Sequence, residues 1–206
     1  MRTETIESFL RSLAARVPAP GGGASAGLHA AQAAALIAMV ARYTEGKKYA
    51  DHAETVTAIR DAADSLCAAA LTLAEDDAAA FGAVSTAYGL PHSTVGEKAA
   101  RSSAIAAALV TAGRVPARVV ATGAEIIGLA ERLLPIGNRN VISDVAAAAD
   151  AARAAATTAR VNVEINLAGI TDADARAELT SAIAGVDELA ARADKVTAVV
   201  RELIAR

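Results

Sequence analysis

Tryptophan is absent from this chain, phenylalanine occurs twice, tyrosine three times and cysteine once. With so few aromatics there is no platform on which bases could stack. A net charge of −3 with no basic run gives no bulk attraction to nucleic acid or to an anionic membrane. The single cysteine, Cys67, excludes an intramolecular disulfide framework and a cysteine-cluster metal site. It stands among alanines in a helical stretch and reads as a small core residue rather than a nucleophile. His29, His52 and His92 are far apart and match no ligand spacing, so no metal site is expected. There is no G-x-S-x-G elbow. The longest apolar run, "GLHAAQAAALIAMV", is interrupted by His29 and Gln32 and falls short of the ~20 residues of a bilayer span. It reads as a core helix. The start, "MRTETIESFLRS", is charged and amphipathic, unlike a secretory signal. A soluble cytoplasmic protein is expected.

What is present is alanine. Hydrophobic residues make up 54 % of the 206 residues and aromatics 2 %, so the interior has to be built by close approach of small side chains. Alanine has the highest helix propensity and loses no side-chain entropy on ordering. Strand signals are nearly missing, and the fold class expected is all-α, an antiparallel bundle of long helices. Helices are predicted over about 3–15, ending at Pro18 and Pro20, and over 23–43, with Gly46 as a C-terminal cap beside Lys47 and Lys48. Asp51 with Glu54 predicts a capping box opening a helix to Tyr88, and Thr94 with Glu97 a second box. Pro116 predicts either a new helix or a kink. After "LPIGNRN", a helix is predicted from Ser143 to about Asn166. A last one is predicted from Thr171 and Asp174 to nearly Arg206. No composition shift marks a second domain.

Three consecutive glycines, Gly21, Gly22 and Gly23, precede the second helix in "PAPGGGASAG". Gly21, Gly23 and Ala26 match the dinucleotide fingerprint formally, but no strand precedes them and no βαβ unit surrounds them. A phosphate-binding loop also fails for want of a Lys-Ser/Thr pair. Two readings remain open. One is a turn delivering bare N–H groups at a helix N-terminus, suited to an anion or a ligand's close approach. The other is a tight turn with close helix packing at Gly27.

Polar residues then fall in awkward places. In the third helix Val56, Ile59, Ala63, Leu66, Ala70, Leu73, Asp77, Ala80 and Val84 form a three-four seam, and Asp77 lies on it. A carboxylate on a packed face needs a partner or shifts its pKa, so Asp77 is either in a salt bridge to another helix or lining a cavity; its neighbour Asp76 reads as solvated. Asp144 follows a glycine and asparagine loop at a helix start, where it or Ser143 could simply cap. Beyond it Ala148, Ala151, Ala155, Asn162 and Asn166 run as a smooth stripe ending in amides. At ~1.5 Å per residue Asp144 and Asn162 are about 27 Å apart, too far to line one small pocket in one subunit.

Taken in order, "PAPGGGASAG", "TEGKKY", "EDDAAAF", "GNRNVISDVAAAA" and "VNVEINLAGI" resemble the cyclodeaminase/cyclohydrolase family of folate enzymes. The resemblance runs from Pro18 to Asn166, and the whole chain, 1–206, is read as one such domain. It implies an all-helical homodimer with folate held between long helices and with no metal or bound cofactor. It implies a reaction at the carbon bridging N5 and N10 of tetrahydrofolate. Cyclodeamination would convert 5-formiminotetrahydrofolate to 5,10-methenyltetrahydrofolate with loss of ammonia; the alternative is a cyclohydrolase opening the methenyl ring with water to 10-formyltetrahydrofolate. On this resemblance Asp144 is the general acid/base and Asp77 orients the pterin or a catalytic partner. Lys47 and Lys48 offer cations to the substrate, and Gly21, Gly22, Gly23, Asn138, Asn140, Asn162 and Asn166 bind it. A different class, a helical folate-binding or adaptor module without turnover, shares the same features. Convergence of the two aspartates and the lysines on one cavity, within a subunit or across a dimer, separates the two.

Overall fold

Small side chains let the helices of this protein touch along their backbones. A Cβ added at Gly27 would lie 2.8 Å from the backbone nitrogen of Ala74 and 2.9 Å from its Cα and Cβ. The computed structural model describes residues 2–205, and among them every regular element is helical. α1 spans Ile6–Leu13, α2 Gly22–Arg42, α3 Ala53–Tyr88, α4 Val95–Leu133, α5 Ser143–Leu167, α6 Ala173–Ile183 and α7 Val186–Ile204. The expected all-α bundle is what forms.

α2 is the central helix. It packs against α3 on one side and α5 on the other, with α4 across all three and α7 behind α5. Both flanking helices run antiparallel to it. Gly23 faces Asp77 while Arg42 pairs with Asp64, and Gly22 faces Asn162 while Thr44 bonds Asn138. α2 buries 12 of its 21 residues, chiefly alanines; although long and apolar enough to cross a bilayer, it is the core helix expected. Ile37, Ile59, Leu73, Ile126, Ile127 and Leu133 fill the spaces that alanine leaves.

Local signals explain most helix ends. Thr94 and Glu97 form the predicted box: Glu97 N–H donates to Thr94 Oγ1 at 3.2 Å and Thr94 N–H to Glu97 Oε2 at 2.8 Å. Gly46 turns the chain at φ +97°, a region open to glycine, but it does not cap α2 as expected: Tyr43 holds that C-cap and Gly46 precedes the 3₁₀ segment Lys47–His52. Four further expectations need correction. α1 is shorter than 3–15 because Thr5 caps it, accepting from the Ser8 N–H. Asp51 opens no capping box: Lys47–His52 form a 3₁₀ segment and α3 starts at Ala53 with no side-chain cap. Asp172, not Thr171, caps α6, taking the Ala175 N–H at 2.7 Å. The final helix is two, broken between Ile183 and Val186 at Gly185.

Pro116 neither starts nor ends a helix; α4 runs through it. A proline has no N–H for the carbonyl four residues back, here that of Ala112. Asn166 Nδ2 from α5 donates to that carbonyl at 3.4 Å. A side chain of the neighbouring helix thus takes the place of the missing bond.

Replacing Gly27 by alanine is expected to lower stability. The clash is with backbone, which no rotamer change relieves. Overpacking costs about 1–3 kcal/mol, more than the ~1 kcal/mol that alanine gains over glycine in helix propensity. A urea midpoint raised rather than lowered would show that α2 and α3 can slide apart freely.

Candidate functional site

The first turn of a helix carries N–H groups with no partner inside the helix. At α2 the N-cap is Gly21, which has no side chain to offer them. Asp77 of α3 supplies the acceptor. A Cβ at Gly23 would sit 2.0 Å from Asp77 Oδ1, 2.4 Å from Cγ and 2.5 Å from Oδ2, so the carboxylate occupies the space that any other residue would fill. Burial pushes the Asp77 carboxyl above its ordinary value, and the Ala24 N–H pulls it partway back. Of the two readings of Asp77, the cavity is realised: its partner is a helix end, and no salt bridge to it is found among the described residues. Asp76 beside it faces Arg118 at 3.5 Å instead of standing alone in solvent. The two readings of the glycines are both realised. Gly27 serves packing, and the first turn of α2 meets an anion, although that anion is the protein's own.

Asn162 and Asn166 of α5 form the opposite wall. Asn162 Nδ2 donates to the Thr158 carbonyl at 2.9 Å, and Asn166 Nδ2 to the carbonyls of Asn162 at 2.7 Å and Ala112 at 3.4 Å. Because carbonyl oxygens only accept, these bonds fix which end of each amide is nitrogen. Each amide oxygen is thereby left as an acceptor. The proline in α4 contributes indirectly, since the carbonyl it frees helps hold Asn166.

Between these walls lies a cavity of about 260 Å³ lined by Pro18, the three glycines, Asp77, Phe81, Ala112, Asn162, Ile165 and Asn166. Six of the sequence-nominated residues therefore converge: Gly21, Gly22, Gly23, Asp77, Asn162 and Asn166. Phe81 and Ile165 were missed. Their signal was spacing alone, Phe81 lying one turn beyond Asp77 and Ile165 three residues beyond Asn162.

The other five nominees lie at the far end of α2 and α5. Asn138 is engaged structurally: its N–H donates to Thr44 Oγ1, its Nδ2 donates to the Tyr43 carbonyl at 2.6 Å, and its Oδ1 accepts from the Asn140 N–H. Lys47 and Lys48 are exposed on the 3₁₀ segment, with Lys48 Nζ 5.2 Å from the centre of the Tyr49 ring. Asp144 is half-buried in the first turn of α5. Ile142 holds the N-cap position and no side chain caps there, so Asp144 is not serving as the cap. Asp144 and Asn162 are separated by 18 residues, about five helical turns, which places them on one azimuth about 27 Å apart.

No group of three or more His, Cys, Asp or Glu residues arranged to hold a metal is found among the described residues. The cavity's polar groups can accept hydrogen bonds, hold a proton at Asp77 and stabilise positive charge.

Comparison with known proteins gives this geometry a context. Residues 5–185 match the formiminotransferase-cyclodeaminase family. The chain is 42 % identical over 170 residues to the methenyltetrahydrofolate cyclohydrolase of Methylorubrum extorquens, covering 82 % of both chains. It is 34 % identical over 169 residues to the formimidoyltransferase-cyclodeaminase of Rattus norvegicus, covering 82 % of this chain and 31 % of that one. It thus spans about a third of the rat protein's length. The crystal structure of formiminotetrahydrofolate cyclodeaminase from Thermotoga maritima superposes with a TM-score of 0.82 at 31 % identity, over 98 % of this chain and 96 % of that one.

Proposed function

The chain belongs to the formiminotransferase-cyclodeaminase family of folate one-carbon enzymes, and from that premise we propose that it hydrolyses 5,10-methenyltetrahydrofolate to 10-formyltetrahydrofolate. The observation that carries the choice of reaction is the 42 % identity, over 82 % of both chains, to a protein named as that cyclohydrolase. The sequence alone put the cyclodeaminase reaction first. That second reading, ring closure of 5-formiminotetrahydrofolate with loss of ammonia, is favoured by the likeness to the Thermotoga maritima cyclodeaminase.

In the proposed reaction the bridging carbon shares a positive charge with N5 and N10. A carboxylate takes a proton from water as the C–O bond forms. The tetrahedral carbon then loses N5, which receives a proton, and the hydroxyl proton leaves as the formyl carbonyl forms on N10. A single acid/base supplies about 10²–10⁴-fold of such a rate, with positioning adding more. We assign that role to Asp144, and to Asp77 the orientation of the ring and stabilisation of its charge. No step needs a metal or redox cofactor.

The roughly 27 Å along one face of α5 between Asp144 and Asn162 of the cavity wall has a simple resolution in a homodimer. The middle of α2 leaves Gln32 and Ala35 exposed and Leu36 and Met39 partly exposed, and α5 leaves Ala147 exposed and Ala151 and Ala154 partly so. These residues lie in sequence between the two half-sites on their helices. A two-fold axis through their middle would carry the Asp144 end of one chain over the glycine end of the other, with Lys47 and Lys48 placed to meet the substrate's glutamate carboxylates.

The test follows the methenyltetrahydrofolate absorbance band. An accelerated fall supports the cyclohydrolase, and a rise from 5-formiminotetrahydrofolate the cyclodeaminase. Folate binding without either change would support a non-catalytic binding module. Asp144→Asn is expected to lose at least about a hundredfold in kcat; near-normal turnover would remove Asp144 from the chemistry.

A further inference from the structure

Of the five aromatic residues, Tyr43, Phe81 and Tyr88 are each about half exposed, and of these three Phe81 lines the cavity between α3 and α5. Phe81 is 49 % exposed and Ile165 is 73 % exposed, and both line the cavity between Asp77 and the two asparagines. Phe81 projects from α3 and Ile165 from α5, the helices that flank the start of α2. The cavity therefore has a polar floor and two apolar jaws.

The floor excludes one end of a folate and suits the other. No lysine, arginine or histidine is among the described residues lining it, whereas a carboxylate and two amide oxygens are. Such a set repels glutamate carboxylates. It complements an edge rich in N–H donors, which the pterin supplies through its 2-amino group, N3 and N8. The size agrees: a cavity of about 260 Å³ has room for a bicyclic heterocycle.

We infer that Phe81 and Ile165 clamp the faces of the pterin ring while Asp77, Asn162 and Asn166 read its N–H edge, leaving the benzoylglutamate part outside the cavity. This rests on the folate reading above and adds the orientation of the substrate within the site. Phe81 supplies a π-face for stacking, and Ile165 a flat aliphatic cover on the other side.

Two measurements test it. Phe81→Ala is expected to raise KM about 5- to 150-fold, the range for losing one base–aromatic stack, with a smaller change in kcat because stacking acts on bound substrate and transition state alike. Phe81→Leu should fall between. Phe81 is half-exposed, so truncation leaves the core intact, and an unchanged circular dichroism melt checks this. The chain has no tryptophan, so Phe81→Trp places its single tryptophan in the jaw, excited selectively over the three tyrosines. Its emission should be quenched by 5-formyltetrahydrofolate and by 6-methyltetrahydropterin, and not by p-aminobenzoylglutamate at equal concentration. Quenching by p-aminobenzoylglutamate and not by the pterin would reverse the orientation and overturn the inference. If wild type turns over methenyltetrahydrofolate while Phe81→Ala keeps its KM, the clamp is wrong and the enzyme reading stands. If no folate is turned over and none quenches, both fall.

Discussion

Gly23→Ala is expected to lose at least about a hundredfold in kcat/KM, about 3 kcal/mol of transition-state stabilisation. The added methyl would stand 2.0 Å from Asp77 Oδ1, inside any non-bonded contact. Two responses are open. The carboxylate can rotate away, leaving the first turn of α2 without its acceptor and moving a half-buried charge. Otherwise α2 and α3 must separate along a seam where Gly27 already touches the Ala74 backbone. Either one dismantles the wall of the cavity. Gly21 provides the control: nothing lies within 4 Å of a Cβ there, and its φ of −140° is extended backbone that alanine adopts. Gly21→Ala should therefore cost less than about 1 kcal/mol of stability. A double variant, Gly23→Ala with Asp77→Ala, separates clash from chemistry. Removing the carboxylate should restore much of the stability lost by the single change, while turnover stays low. If Gly23→Ala alone remains fully active, the Asp77 carboxylate is not held where the cavity requires it.

How much of this was legible beforehand depended on the range of the interaction. The bundle was legible because alanine content and three-four periodicity are local properties, and the Thr94–Glu97 box because a cap involves four consecutive residues. The break at Gly185 was obscured by continuous helix propensity on both sides. The Asp51–Glu54 pattern met its local rule and failed because the Gly46 turn feeds a 3₁₀ segment that carries the chain past Asp51. The inward face of Asp77 was legible from its seam, and the need for a bare backbone from three glycines. That these two features answer each other was not, because 54 residues separate Gly23 from Asp77. The same holds for Pro116 and Asn166, which are joined through a carbonyl that belongs to neither. Phe81 offered only its place one turn beyond Asp77. Its meaning comes from half-exposure at a cavity mouth, a tertiary property.

The proposed two-fold arrangement predicts that two inactive chains can make an active enzyme. Asp77→Asn and Asp144→Asn are each expected to leave little turnover alone. If each site takes Asp77 from one subunit and Asp144 from the other, a mixed dimer carries one doubly altered site and one with both aspartates intact. Random pairing makes half the dimers mixed, so co-refolded chains should recover about a quarter of wild-type specific activity. If both residues act within one chain, every site in the mixture lacks an aspartate and activity stays at the level of the single variants. The contrast is about 25-fold or more against variants at one per cent, and it does not depend on knowing the dimer's geometry. Recovery that disappears on dilution, and returns on concentration, would tie it to association of subunits. Absence of recovery with both variants folded and dimeric would mean that both aspartates act within one chain, and would overturn the two-fold arrangement. Should Asp144→Asn instead keep near-normal turnover, Asp77 would be the carboxylate left at the glycine-end cavity, and its raised proton affinity, set by burial, would make it the better candidate for moving the proton.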